Sequence, residues 1–327
     1  MIEGASRFLI VRLGSLGDVV HAIPAVAALI DRYPGARVDW IVDPRYVDLV
    51  KRVDRIGNVI PFDSRAGWGL LIATARRLRG ARYDAALDLQ GLLKSAVLAR
   101  MAGARRTIGF SRAHLREPLA NLFYTERHDP GDIVHVIDKG LALMRALDVH
   151  EAKARFPLGV PAPGEPGGYV LINPSAAWPN KRWPAERFGA LAAAIRARHN
   201  LTSMVLWGPG EEALAEVVAA ASNGAAQTAP SSTIVDLLAL ARGARLMISG
   251  DTGPMHIAGA VGTPIVALFG PTRYERNGPW SPADISISRF EHCACHYERR
   301  CRRTQPCIDD ISVDEVIAAV DRRMAAR

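Results

Sequence analysis

The chain has 327 residues, 49% of them hydrophobic and 23% charged, and its 41 Lys and Arg against 33 Asp and Glu give a net charge of +8. That length and balance exclude a disordered or fibrous chain and fit two ordinary domains with separate cores; without a run of 18 apolar residues no membrane span is expected, and without a leader pattern around Arg7 and Arg12 the expected compartment is the cytoplasm. The positive charge favours an acidic partner, and nucleic acid is set aside because the basic residues form no binding motif and are not interleaved with aromatics.

In chain order, residues 8–13 (FLIVRL) read as a buried parallel strand, followed by the loop Gly14-Ser15-Leu16-Gly17-Asp18 and a helix ended by Pro34-Gly35. Strands are expected at 37–42, 59–62, 83–89 and 107–110, and helices at 44–53, 69–79, 91–103 and 136–147. Such βα alternation predicts a parallel sheet with helices on both faces. Residues 156–168 hold Pro157, Pro161, Pro163 and Pro166 with four glycines, which sustain neither a helix nor a central strand. This sets an N-terminal domain at 1–156, a linker at 157–168 and a C-terminal domain at 169–311. The alternation restarts there, with strands at 169–173 and 203–207 and helices at 184–199, 211–221 and 233–241. Residues 245–272 then form the unit around which this half is organised: strand, the turn Gly250-Asp251-Thr252-Gly253, a small-residue helix, and strand. The last segment, 312–327, opens on Ser312-x-x-Glu315, a capping-box pattern, and is expected to be a terminal helix packing back toward the N-terminal domain. The expected fold class is α/β, two Rossmann-like doubly wound domains facing across a cleft.

Ligands of open α/β sheets bind beyond the carboxyl ends of the strands. Four loops there carry suitable groups. In Gly14–Asp18 the glycines permit close approach and Asp18 begins a helix, where the dipole favours an anion. G-x-x-G is not a dinucleotide fingerprint. In NPSAAWPNKRW (173–183), Ser175 and Lys181 stand beside a strand end, and a lysine there can neutralise a leaving diphosphate. Gly208-Pro209-Gly210-Glu211-Glu212 offers carboxylates for ribose hydroxyls. In the fourth loop, the hydroxyl of Thr252 and the free amides after Gly253 suit a phosphate, with Asp251 and His256 beside them. Each feature has a structural reading too, as a helix cap or a surface charge.

Taken together, VRLGSLGDVVHAIPA (11–25), KRWP (181–184), WGPGEE (207–212) and SGDTGPMHIAGAVGTPIVALFGPT (249–272) resemble the family 9 glycosyltransferases, best known for ADP-heptose:lipopolysaccharide heptosyltransferases. The matches run in family order over nearly the whole chain. The resemblance implies a GT-B fold, donor bound in the C-terminal domain and acceptor in the N-terminal one, and inversion at the anomeric carbon with no cofactor or metal required. Asp18 matches the family's general base, Lys181 the donor-phosphate lysine, and Glu211 or Glu212 the ribose-binding acid. Asp251, Thr252, Gly253 and His256 match the donor turn. Ala176 and Ala177 stand where first-type heptosyltransferases carry hydroxyl residues, leaving only Ser175 nearby.

The expected partners are ADP-heptose or a related nucleotide sugar, a lipid-linked saccharide acceptor, and the anionic inner leaflet of the membrane. Acceptor contacts are expected from Gly14, Ser15, Gly17, Arg105, Arg106 and Arg112, the arginines meeting carboxylates and phosphates. Cys293-x-Cys295-x5-Cys301-x5-Cys307, with His292 and His296 inside it, has enough ligands for structural zinc or an iron-sulfur cluster, although C-x-C is tighter than the common C-x2-C. Reduced thiols are the simpler expectation. Competing readings are a transferase for another nucleotide sugar, a nicotinamide-dependent oxidoreductase, disfavoured by the absent G-x-G-x-x-G, and a non-enzymatic two-lobed sugar-binding protein.

Overall fold

The computed structural model describes residues 6–161 and 167–326. The chain divides into two compact units, Met1–Gly159 and Val160–Arg327, and the middle of the expected linker, 162–166, lies outside the described residues.

The first unit runs β1 (Arg7–Val11), α1 (Leu16–Arg32), β2 (Arg37–Val42), α2 (Val47–Val50), β3 (Val59–Pro61), α3 (Gly67–Arg79), β4 (Ala85–Asp88), α4 (Leu93–Met101), β5 (Arg106–Phe110), β6 (Glu126–His128) and α5 (Val136–Leu143). Its strands form one parallel sheet in the order β3-β2-β1-β4-β5-β6. The continuous apolar run of β1 follows from this order. Being central and covered on both faces, the strand buries Phe8, Leu9, Ile10 and Val11 alike. Residues 44–53, expected as one helix, divide into a 3-10 turn at Pro44–Tyr46 and the single turn α2; Asp43 caps the former by accepting from the Arg45 amide at 3.0 Å.

The second unit runs β7 (Tyr169–Asn173), α6 (Ala185–His199), β8 (Thr202–Val205), α7 (Glu212–Ala220), β9 (Ala226–Thr228), α8 (Ile234–Gly243), β10 (Leu246–Gly250), α9 (Gly253–Ala260), β11 (Ile265–Phe269), α10 (Tyr274–Asn277), β12 (Ile285–Ser288) and α11 (Val313–Ala325). Its sheet has the same pattern, β12-β11-β10-β7-β8-β9. In each unit the strand order reverses between the two central strands, β1 and β4 or β7 and β10. Connections leave those strands in opposite directions, which opens a crevice at the carboxyl edge.

The terminal helix packs on the core of its own unit. Val316, Ile317, Ala319 and Val320 of α11 are buried in the second unit's own core, against Phe188 and Leu191 of α6 and Val266 and Leu268 of β11. The chain entering α11 is pinned there, because the Ile311 carbonyl accepts from Trp183 Nε1 at 2.9 Å, and Arg323 at its far end donates to Asp284 at 2.8 Å. Its apolar face is therefore used within this unit. Truncating Ile317, 2% exposed, to Ala is expected to destabilise the protein by about 2–5 kcal/mol, read from urea unfolding, through lost transfer energy and the cavity left. A cost within the range of surface substitutions would contradict this packing. Among the described residues no helix is long and apolar enough to cross a membrane.

Candidate active site

In the first unit the crevice is lined by the loops after β1 and β4. Asp88, fully buried, shapes the second loop: its carboxylate accepts from the amides of Gln90 (2.8 Å) and Gly91 (3.2 Å), from Ser95 Oγ (2.9 Å) and from the Tyr124 hydroxyl (2.7 Å). Burial pushes the Asp88 carboxyl up, against the pull of these donors. The two loops are tied together. The Leu13 amide donates to Gln90 Oε1 at 2.8 Å, and Arg12 donates to the Leu89 carbonyl. Arg12 also reaches Asp18 Oδ1 at 2.5 Å, while Asp18 Oδ2 accepts from both the amide (3.0 Å) and the hydroxyl (2.9 Å) of Ser15. This is the capping box of α1, and it fixes the carboxylate's direction. The side chain stays one-third exposed (34%), so it is both held and accessible. Gly14 lets this loop lie against Tyr46, since a Cβ there would stand 2.9 Å from the ring.

Of the arginines expected beside this loop, only Arg112 follows the carboxyl end of β5. Arg105 and Arg106 are a correction. They sit at the amino end of β5, register with the start of β4, and so occupy the opposite edge of the sheet from Asp18. Arg106 is spent on Glu126 through two bonds of 2.6 and 2.7 Å and on the Ala146 carbonyl, and Arg105 lies 3.5 Å from Asp84. A sequence cannot distinguish the two ends of a five-residue strand by charge, and the expectation failed on that point.

In the second unit Asp251 is the hub. Its side chain is 6% exposed, and the carboxylate receives Lys181 Nζ at 2.5 Å, Thr272 Oγ1 at 2.9 Å and Asn277 Nδ2 at 2.5 Å, with His256 Nε2 at 3.7 Å. Burial alone would push this carboxyl up. The His256 ring and the Lys181 ammonium outweigh it and hold the group well below the usual carboxylate range. Lys181 is also 4.5 Å from the centroid of the Trp178 ring, so the ammonium is fixed from two sides. Backbone proximity makes this possible. A Cβ on Gly250 would stand 3.1 Å from the Lys181 carbonyl oxygen, and one on Gly270 would stand 3.1 Å from that of Asn180. Both glycines are strand-end positions where the 178–183 segment crosses the sheet edge.

The turn itself is held by Asn173, which donates from Nδ2 to Thr252 Oγ1 (2.9 Å), Ser249 Oγ (3.2 Å) and the Ser175 carbonyl (3.1 Å). These bonds bridge the loops after β7 and β10 across the switch point. Gly253 is the first residue of α9 and Pro254 the second; Thr252 makes no side-chain bond to the amides that follow, so the helix start presents donors. Of the two candidate acids, Glu211 turns back to accept from the Gly208 amide at 3.1 Å, whereas Glu212 is exposed in the first turn of α7. Ala176 is buried, its carbonyl accepting from Arg182 at 2.7 Å, and the neighbouring Ser175 carbonyl accepts from Asn173. Asn173, Ser249, Thr272 and Asn277 were not singled out from the sequence. Asn173 and Thr272 lie inside the quoted motifs, while Asn277 carried no signal.

The four cysteines do come together. Cys293 Sγ lies 3.5 Å from that of Cys295, which lies 3.3 Å from that of Cys301, and Cys307 contacts Cys293. All are free thiols; burial, followed by the contact with Cys293, pushes the Cys307 thiol up to about 12. The contacts form a chain, and His296 bonds the Phe290 carbonyl at 2.8 Å instead of joining it. Among the described residues no group of three or more His, Cys, Asp or Glu side chains is placed to hold a metal ion.

The chain aligns over nearly its whole length with solved structures of the same fold. Escherichia coli heptosyltransferase WaaC with ADP superposes with a TM-score of 0.80 at 23% identity, over 97% of this chain and 99% of that one. Lipopolysaccharide heptosyltransferase 1 of Pseudomonas aeruginosa is 29% identical over 93% of this chain and 89% of its own length. The protein of the same name from Salmonella typhimurium is 30% identical over 81% of this chain and 89% of its own. Residues 71–306 match glycosyltransferase family 9 (heptosyltransferase), a span that includes Lys181 and the whole Asp251 cluster. The chain belongs to glycosyltransferase family 9.

Proposed function

We propose that the protein is an inverting, metal-independent heptosyltransferase that moves heptose from ADP-heptose to the inner core of lipopolysaccharide. The carrying observation is the buried Asp251–Lys181 cluster beside the open start of α9, at the switch point of the second sheet. The similarity to lipopolysaccharide heptosyltransferases over most of the chain supports the choice of sugar and acceptor. In the reaction an acceptor hydroxyl attacks the anomeric carbon from the face opposite the diphosphate. Its proton passes to Asp18, the new C–O bond forms as the bond to the diphosphate breaks, and the electron pair leaves with ADP. The Lys181 ammonium and the amides at the start of α9 take up that charge. Glu212, exposed at the start of α7, is the acid for the ribose hydroxyls, since Glu211 is engaged by its own loop. Gly14, Ser15, Gly17 and Arg112 border the acceptor, which is lipid-linked and approached at an anionic inner leaflet.

Calorimetric titration with ADP, UDP, GDP and NAD tests the reading. ADP is expected to bind selectively, and Lys181→Ala to weaken it about 10- to 100-fold, the scale of losing a charged hydrogen-bond donor. Preference for UDP or GDP would keep the chemistry and change the sugar. Binding of NAD alone would overturn the assignment in favour of an oxidoreductase.

A further inference from the structure

Among the described residues of the first unit, large apolar side chains on two segments neighbouring α4 are uncovered. On α3 the inward residues Leu71, Thr74, Ala75 and Leu78 are buried, while Trp68 is 63% exposed and Leu70 and Ile72 also face outward. In the 3-10 turn Pro118–Phe123, Leu119 is 61% and Leu122 72% exposed. Both segments are anchored at the start of α4, one on each side of it. Lys94 donates to the Ser64 carbonyl just before α3, and the Leu93 amide donates to Glu117 just before the turn, at 2.7 Å. That start of α4 is the end of the loop whose Gln90 receives the Leu13 amide, so the apolar group lies on the Asp18 edge of the sheet.

Its flanking charge is mainly positive. α3 contains no acidic residue, and Arg65 before it, Arg76 one turn beyond Ile72 and Arg116 before the 3-10 turn are exposed, whereas Arg79 at the far end of α3 donates to the Met101 carbonyl at 2.9 Å. The nearest acids are engaged: Asp63 lies 3.8 Å from Arg65, and Glu117 holds the Leu93 amide. A second copy of this chain carries the same basic rim and the same net charge of +8. A bilayer with anionic headgroups supplies both halves, an apolar layer for Leu119 and Leu122, an interfacial zone suited to an indole, and phosphates for the arginines.

We propose that the outer face of α3 and the turn Pro118–Phe123 dock the protein on an anionic phospholipid bilayer, with Trp68, Ile72, Leu119 and Leu122 inserted at the headgroup level. This deepens the reading that the acceptor is lipid-linked, since it places the Asp18 edge of the sheet toward the surface from which the acceptor sugar projects. The test is cosedimentation of the full chain with phosphatidylglycerol/phosphatidylcholine vesicles and with phosphatidylcholine vesicles alone, for wild type and the double variant W68S/L122S. Both positions are exposed, so the thermal melt and ADP titration are expected to be unchanged. Wild type is expected to bind the anionic vesicles preferentially and to be released by salt, and the double variant to bind at least about tenfold more weakly. Turnover on a delipidated, soluble acceptor is expected to be the same for both.

Failure of wild type to bind, or equal binding by the double variant, overturns the proposal. So does a wild-type dimer that the substitutions dissociate, which would make the face a contact between copies. An equal fall of kcat/KM on the soluble acceptor would make the face a sugar subsite, and also overturns it. Loss of the transferase reading registers separately, as absent ADP binding with vesicle binding intact.

Discussion

Asp18→Asn is expected to leave ADP binding unchanged and to lower kcat by about 10²- to 10⁴-fold, the usual worth of a positioned general base. The substitution removes the proton acceptor and little else. An Asn oxygen can still accept from the Ser15 amide, which holds the helix start; the lost part of the cap is worth about 1 kcal/mol. Arg12, 13% exposed, loses its ion pair but keeps the Leu89 carbonyl. The measurement is turnover at saturating donor and acceptor, with the ADP titration alongside. Turnover equal to wild type would remove Asp18 from the mechanism. A parallel loss of ADP affinity would point to disturbed structure instead. Ser15→Ala separates the roles further, because it removes one of the bonds aiming the carboxylate while leaving the base, and is expected to reduce kcat far less than Asp18→Asn.

The central architecture was legible because buried parallel strands are apolar along most of their length, as in β1, β7, β10 and β11. Of the four edge strands only β3 was expected. β6, β9 and β12 have three or four residues, are polar or half-exposed, and give no periodic signal in so few positions. The terminal helix was seen, capped at Ser312 as the pattern required; an amphipathic face says that something covers it, not what. At the site, Asp251, Thr252 and Lys181 stood out by their place in motifs. What the motifs could not express is that Asp251 and Lys181, 70 residues apart, form one buried pair with Thr272 and Asn277 as further donors. The same limit produced the error at Arg105 and Arg106, whose charge was read without the strand direction that assigns them to the far edge.

That buried pair sets the second large expectation. Asp251→Ala is expected to lower the unfolding free energy by about 3–5 kcal/mol, because removing one partner leaves the Lys181 ammonium, 13% exposed, without its counter-charge. The pH dependence follows from the direction of the carboxyl's shift. Its folded-state value is depressed, so the stabilisation it gives is complete above the unfolded-state value of about 4 and is lost as pH falls below it. The stability gap between wild type and Asp251→Asn should therefore be constant from about pH 5 to 8 and close progressively in acid. A gap independent of pH down to the acid limit would mean that the charge on Asp251 contributes nothing.

The double variant Asp251→Ala, Lys181→Met decides between structure and function at this site. With both charges removed, the uncompensated ammonium is gone, and the pair should recover part of the loss, with a coupling of about 0.5–3 kcal/mol. ADP affinity should not recover, since the cation that neutralises the diphosphate is absent. Recovery of both would mean that Lys181 serves only to satisfy Asp251, and the donor phosphates must then be held by the α9 amides alone.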